Sequence, residues 1–294
     1  MHHLATDPTP IGGGIINDRG QTTEAAGRIA ALVEPRGVVR DVLASVRNLE
    51  HLLRSPRVGA RAIAQVIPGL QSACDSLALS VDQILEQVRE MADGHVDAAT
   101  AELEAFVPSV VGRLSAVLDQ QASAAIDAKG RLAFESAIAL VGAELNSVRQ
   151  LLDLLVRAAE RSDTELSLQE VVHETFLVSF RPATSRSPLR VFASFDTDDS
   201  DFRASPQVLI PLISIGIAVA RDASDAPVYL RATCRQNEAV QVVISRSGPE
   251  NSEQFTFDPP VIVPPSLVCA ETAARLARGS FVSEPGRAVL TWPR

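Results

Sequence analysis

The chain has 294 residues, of which 46% are hydrophobic and 21% charged, a composition that folds and excludes wholesale disorder. Its length exceeds what one compact core ordinarily absorbs, so two domains are expected. The excess of 36 acidic over 27 basic residues, a formal charge of -9, excludes a broad nucleic-acid-binding face, which needs clustered Lys and Arg.

Residues 1–22 carry Pro8, Pro10 and Gly12, Gly13 and Gly14, and read as a disordered lead. From Thr23 to Asp163 Ala, Leu, Val, Gln, Glu and Arg dominate, with apolar residues at three- and four-residue steps. A first helix is expected from about Thr23 to Leu53, interrupted near Pro35 and Gly37, and a second from Val58 to Met91, kinked at Pro68. Asp93-Gly94 breaks the pattern before a third helix, from His95 to about Ala128 with Pro108 inside it. After a second break at Lys129-Gly130, a fourth runs through Leu132, Ile138, Val141, Leu145, Val148, Leu152 and Leu155 to about Glu160. Helices of about 30 residues span roughly 45 Å and bury their apolar faces in a hairpin or four-helix bundle.

Residues 164–294 change period. Leu166 to Val172 leads into a helix with Ser167 or Asp163 as its cap. Strands are expected at Leu189–Phe195, Val228–Cys234 and Val240–Ser245, with an apolar helix from Ser205 to Arg221 between the first two. A loop with Pro259, Pro260, Pro264 and Pro265 leads to a helix from Ser266 to Ala277, and a hairpin around Pro285-Gly286 closes the chain. The fold class is α+β: a long-helix hairpin or four-helix bundle over 23–163, then a small α/β sandwich over 164–294 with helices on one face of a sheet.

The chemistry-bearing residues are sparse. Cys74, Cys234 and Cys269 are too far apart for a zinc site and odd in number. Lys129 is the sole lysine, so a P-loop or Schiff-base site has little to rest on. No run of about 18 uninterrupted apolar residues occurs, and the N-terminus has no basic-then-apolar pattern, so a cytoplasmic chain without a membrane span is expected. Asp196, Asp198, Asp199 and Asp201 form an acidic run with neither the turn glycine nor the closing Glu of an EF-hand, and read as a solvated loop.

The order of helical hairpin, Leu166-Ser167-Leu168-Gln169-Glu170-Val171-Val172, strand, helix, two strands, loop, helix and hairpin resembles two-component sensor histidine kinases, in the GHKL ATPase superfamily. Val148-Arg149-Gln150-Leu151-Leu152-Asp153-Leu154-Leu155 looks like the end of the second dimerisation helix, and Ser283-Glu284-Pro285-Gly286-Arg287 like the final hairpin turn, with Trp292-Pro293 after it. The resemblance covers about residues 95–294. It implies a dimerisation or phosphotransfer bundle followed by an ATPase-like domain.

The resemblance also assigns positions, and each is altered. Val219 stands where the family has the Asn that holds magnesium and phosphates, and valine has no lone pair for Mg²⁺. In Ser245-Arg246-Ser247-Gly248-Pro249, Arg246 stands where a carboxylate reads the adenine amino group. Pro264-Pro265-Ser266-Leu267 replaces the second glycine box, and proline supplies no N–H to a phosphate. Gly248 and Gly279 survive, with readings as turn and helix-end residues. The expectation is a degenerate ATPase-like domain without a nucleotide, metal or other cofactor.

Two stretches resemble the family's phospho-acceptor motif. Leu103-Glu104-Ala105-Phe106-Val107-Pro108 has Leu103 in place of the acceptor histidine. His51-Leu52-Leu53-Arg54-Ser55-Pro56 keeps His, Leu, Arg and Pro, with Arg54, Arg57 and Arg61 available to steady a phosphoryl group. Against His51, it lies about 100 residues before the Asp153-Leu154-Leu155 landmark, twice the family's spacing. Its plain alternative is a helix-end histidine beside solvated arginines. His95 reads as a first-turn residue and His173 as a surface or half-buried one. The favoured expectation is a homodimeric histidine-kinase-like signalling protein that has lost ATP binding and docks a response regulator or kinase, with no nucleic acid or membrane partner. The alternatives are a histidine phosphotransferase working through His51 and a structural helical assembly protein.

Overall fold

The computed structural model describes residues 33–55, 60–92, 95–122, 128–160, 162–180, 183–184, 188–197, 202–221, 226–235, 238–248, 252–258 and 267–293. The lead expected over 1–22 and the prolines at 259, 260, 264 and 265 lie outside them. The fold is α+β, long helices followed by a mixed sheet.

The helices are α1 (Val33–Arg54), α2 (Ala60–Met91), α3 (Asp97–Ala122) and α4 (Ala128–Glu160). Burial alternates in steps of four and three: α2 buries Ile63, Ile67, Leu70, Cys74, Leu77, Val81, Ile84 and Val88, and α4 buries Phe134, Ile138, Val141, Leu145, Val148, Leu152 and Leu155. That 3.5-residue repeat keeps one stripe facing its neighbours along a slowly supercoiled bundle. Polar pairs across the seams fix directions. Arg36 meets Asp153 at 2.8 Å, Arg47 meets Asn146 at 3.1 Å and Arg54 meets Glu135 at 3.3 Å, so α1 and α4 are antiparallel. Gln71–Asp119 and Arg89–Glu104, both 2.6 Å, do the same for α2 and α3. Each helix packs on its sequence neighbours and α4 returns to α1, so one chain closes the bundle by itself.

One expected break is absent and another is displaced. Pro35 falls in the first turn of α1, where its missing N–H has no intrahelical partner to lose, and the helix runs on through Gly37. Lys129 and Gly130 lie in the first turn of α4 rather than before it. A glycine there costs only about 1 kcal/mol, and the next residue anchors the turn: the Arg131 guanidinium donates to the carbonyls of Leu52 (3.2 Å), Leu53 (3.0 Å) and Ser55. They lie at the C-terminal end of α1, where a helix runs out of its own donors, and Leu52 O accepts from Ser55 N–H as well, at 3.3 Å.

After α4 come β1 (Thr164–Leu166), α5 (Leu168–Ser179), β2 (Leu189–Thr197), β3 (Phe202–Ala204), α6 (Pro206–Arg221), β4 (Val228–Cys234), β5 (Val240–Ser245), β6 (Glu253–Phe257), α7 (Leu267–Leu276), β7 (Ser280–Glu284) and β8 (Arg287–Trp292). The main sheet has the order β6-β2-β4-β5-β8-β7, with β2 and β4 its one parallel pair, and β1 pairs with β3 alone. Alternate residues, Val191, Ala193, Leu230, Ala232, Val242, Ile244, Ala288 and Leu290, are buried under the helices. Contact is close at Gly216 of α6, where a Cβ would stand 2.7 Å from Ile244 Cδ1 and 3.3 Å from Ala288 Cβ. Ser167 sits at the cap position of α5, as its sequence suggests, but its side chain makes no capping bond.

The helical and sheet parts share one core. Between residues 151 and 158 α4 is buried nearly all round: Leu151, Leu152, Leu154, Leu155, Val156 and Ala158 are each at most 4% exposed. A helix apolar on every side must be packed from every side. Here the bundle covers one side and α6 and α7 cover another, with α3 also reaching α7. Arg157 of α4 bonds Gln207 of α6 across this junction.

Candidate phosphotransfer and nucleotide positions

His51 is exposed, on the outer line of α1 with Ala44, Arg47, Asn48 and Arg54. An accessible imidazole nitrogen can attack a phosphoryl group. The arginines beside it divide: Arg54 is paired with both Glu50 and Glu135, Arg61 is exposed on α2, and Arg57 lies outside the described residues. Leu103 is 0% exposed, with its side chain in the bundle core, so an acceptor at that position would face inward. His95 occupies the turn before α3, exposed, its N–H donating to Ala92 O at 3.0 Å. His173 on α5 places Nε2 3.6 Å from a Glu253 carboxylate oxygen, and its ring meets Phe195 edge-on at 5.3 Å. It ties α5 to β6, a contact that sequence reading did not find because β6 itself was not expected.

The positions that the family resemblance assigns to nucleotide lie on α6, past the end of β5 and before α7. Val219 on α6 is partly buried and packs against the core. Arg246, just past β5, donates from Nε to the carbonyl of Ala220 at 3.2 Å, near the C-terminus of α6, where a helix welcomes a cation. Its side chain also lies against the β7–β8 turn: Gly286 has φ +74°, and a Cβ there would stand 2.9 Å from Arg246 Nε. Arg246 thus connects β5, α6 and the closing hairpin. Pro264 and Pro265 lie outside the described residues.

The surviving glycines have steric reasons. At Gly248 a Cβ would come 2.5 Å from Tyr229 Cβ, and at Gly279 it would come 2.5 Å from Trp292 Cε2 and 2.9 Å from Thr291 O. The left-handed residue ending α7 is Arg278 (φ 60°), not Gly279. Arg278 N–H bonds Arg275 O (3.0 Å) and Gly279 N–H bonds Ala274 O (2.7 Å), the paired bonds of a Schellman ending.

Behind these positions, α7 presents Cys269, Ala270, Thr272, Ala273 and Ala274, all buried, and small enough for α3 and α4 to lie close. Burial, aided by the nearby Glu102 charge, pushes the Cys269 thiol up to about 12. Burial also raises the Glu102 carboxyl above its ordinary range, and its Oε2 is buried with no hydrogen-bond partner. In the acidic run, Asp196 pairs with Arg235 and Arg231, and the Arg235 hydrogen bond, chiefly, holds its carboxyl below the usual range. Asp198, Asp199 and Asp201 lie outside the described residues. Among the described residues no three His, Cys, Asp or Glu side chains are grouped to hold a metal, and no helix is long and apolar enough to cross a membrane.

No family model matches the chain, and no curated protein matches it. Among solved structures it is similar to the histidine kinase AdeS of Acinetobacter baumannii, with 8% identity over 63% of this chain and 92% of that one, at a TM-score of 0.37. A likeness that slight says nothing of this chain's chemistry.

Proposed function

We propose that this chain is a histidine-kinase-like two-component signalling protein that has lost ATP binding and acts by docking a response regulator or a kinase. Arg246 is the observation that carries the proposal. A guanidinium only donates hydrogen bonds, so it cannot accept one from an adenine amino group, and this one is committed to Ala220 O. Val219 and the two prolines add two further losses, a metal ligand and the amides of a phosphate cradle. At about 1.5–3 kcal/mol for each hydrogen bond or ligand to a charged group, three losses remove roughly 5–9 kcal/mol. A micromolar site is worth only about 8 kcal/mol in all. Because four helices of one chain complete the bundle, a homodimer of this protein would form through its outer faces.

The exposure of His51 favours a second reading, a phosphotransferase that relays phosphoryl groups without ATP. Two labelling experiments separate them. With γ-labelled ATP the chain is expected to take no label; acid-labile, base-stable label would sink the first reading. With phosphorylated response regulators, docking without label supports the first reading, and label lost in His51→Ala supports the second.

A further inference from the structure

We propose that the outer face of α4 pairs with the same face of a second copy of this chain, in an antiparallel, two-fold symmetric contact centred on Ser136. Three leucines of the bundle are more than half exposed: Leu79 on α2, and Leu132 and Leu140 on α4. The two on α4 lie about 12 Å apart along the helix, with Ser136 midway between them on the side away from the buried Phe134, Ile138 and Val141. Ala133 and Ala139 complete the strip, so Leu132-Ala133, Ser136 and Ala139-Leu140 read the same from either end. The line runs on along α4 into Ser147 and Leu154, which are buried where α6 and α7 lie on this helix, so the exposed strip continues an interface the chain already makes.

Symmetry selects the occupant. A two-fold contact is self-complementary: residue i meets j of the other copy, and j meets i. Turned end for end about Ser136, Leu132 lies beside the partner's Leu140 and Leu140 beside the partner's Leu132. At about 100° per residue the leucines stand about 40° to either side of Ser136, so they interdigitate, and the small serine lets the helices approach. The Ser136 hydroxyl already donates to Leu132 O at 3.0 Å, so covering it strands no donor. The charged side chains described on the flanks are likewise paired within the chain, Glu135 with Arg54 at 3.3 Å toward α1 and Arg113 with Glu144 at 2.8 Å toward α3. Two copies that each carry -9 repel, and an uncharged strip is where they can meet. One helix against one helix falls below the roughly 1,200 Å² of a standard interface, so the dimer is weak and concentration-dependent.

The inference goes beyond the kinase-like reading, since it needs neither nucleotide nor His51 and would survive the failure of that reading. The test is sedimentation equilibrium of the full chain from about 1 to 300 μM, a range that brackets a weak dimer. The mass is expected to rise from 31.3 kDa toward twice that value. Leu132→Glu and Leu140→Glu, each counted twice in a symmetric contact, are expected to weaken association at least tenfold. Leu79→Glu, equally exposed but on α2, is expected to change it less than twofold. All three leucines are exposed, so the variants stay folded, which circular dichroism and Trp292 fluorescence verify. Ser136→Cys is expected to give a disulfide-linked dimer under a mild copper oxidant, and the parent, whose three cysteines are buried, to give none. A parent monomeric throughout, as it would be if another segment of the same chain covered the strip, would overturn the assignment. So would association indifferent to Leu140→Glu, equal loss in Leu79→Glu, or no crosslink at Ser136→Cys.

Discussion

Leu154→Ala probes the junction between the helical and sheet parts. Leu154 is 2% exposed in the stretch of α4 that is buried nearly all round. Removing its isobutyl group loses apolar transfer energy and leaves a cavity that packing from several sides cannot close, a cost of about 3 kcal/mol. At about 2 °C per kcal/mol for a long chain, the melting midpoint falls by roughly 6 °C. Two signals report the two parts separately. Far-ultraviolet circular dichroism follows the four long helices. Trp292, the single tryptophan, is buried in β8 with its Nε1–H bonded to Ala277 O at 3.2 Å, and its fluorescence follows the sheet part. A shared core predicts that both midpoints fall together by the same amount. If the circular dichroism midpoint dropped while that of Trp292 stayed in place, the two parts would be independent and the reasoning refuted. A cost below about 1 kcal/mol would refute the packing argument itself.

Three further outcomes are expected. Arg278→Gly relieves a non-glycine residue held at φ 60° and should stabilise the chain by about 1 kcal/mol in urea denaturation. Because burial raises the Glu102 carboxyl, the folded chain holds that proton more tightly than the unfolded one. Its contribution is therefore full below the unfolded pKa and lost as pH rises through the folded value. Urea midpoints of Glu102→Gln across that window should show a flatter pH profile than the parent. Cys74, Cys234 and Cys269 are all buried, so a thiol reagent should titrate none of them in the native chain and all three after unfolding.

Most long elements were legible in the sequence because their period is local. The four–three spacing from Ile138 to Leu155 marks α4 unaided, although Leu132, read on the same line, is exposed and Phe134 takes its place in the core; the β-branched run Val240, Val242, Val243 and Ile244 marks β5. Missed elements depend on distant partners. The three-residue strands β1 and β3 are too short for an alternation and exist through each other, as Thr164 pairs with Ala204 and Leu166 with Phe202. β6 exists because Phe255 and Phe257 meet Phe176 of α5 at 4.6 and 5.4 Å, a cluster whose members lie some 80 residues apart. The same limit applies to function. Sequence singled out Arg246, but only structure shows its bond to Ala220 O. Sequence left the helical part's second neighbour invisible, since a stripe such as Leu151 and Leu154 does not say what covers it.

The most direct test of the central claim is a calorimetric titration of the full chain with magnesium-ATP. The committed Arg246, the apolar Val219 and the proline pair predict no heat of binding up to millimolar nucleotide. A saturable isotherm with micromolar affinity would contradict the claim that this chain has lost its nucleotide.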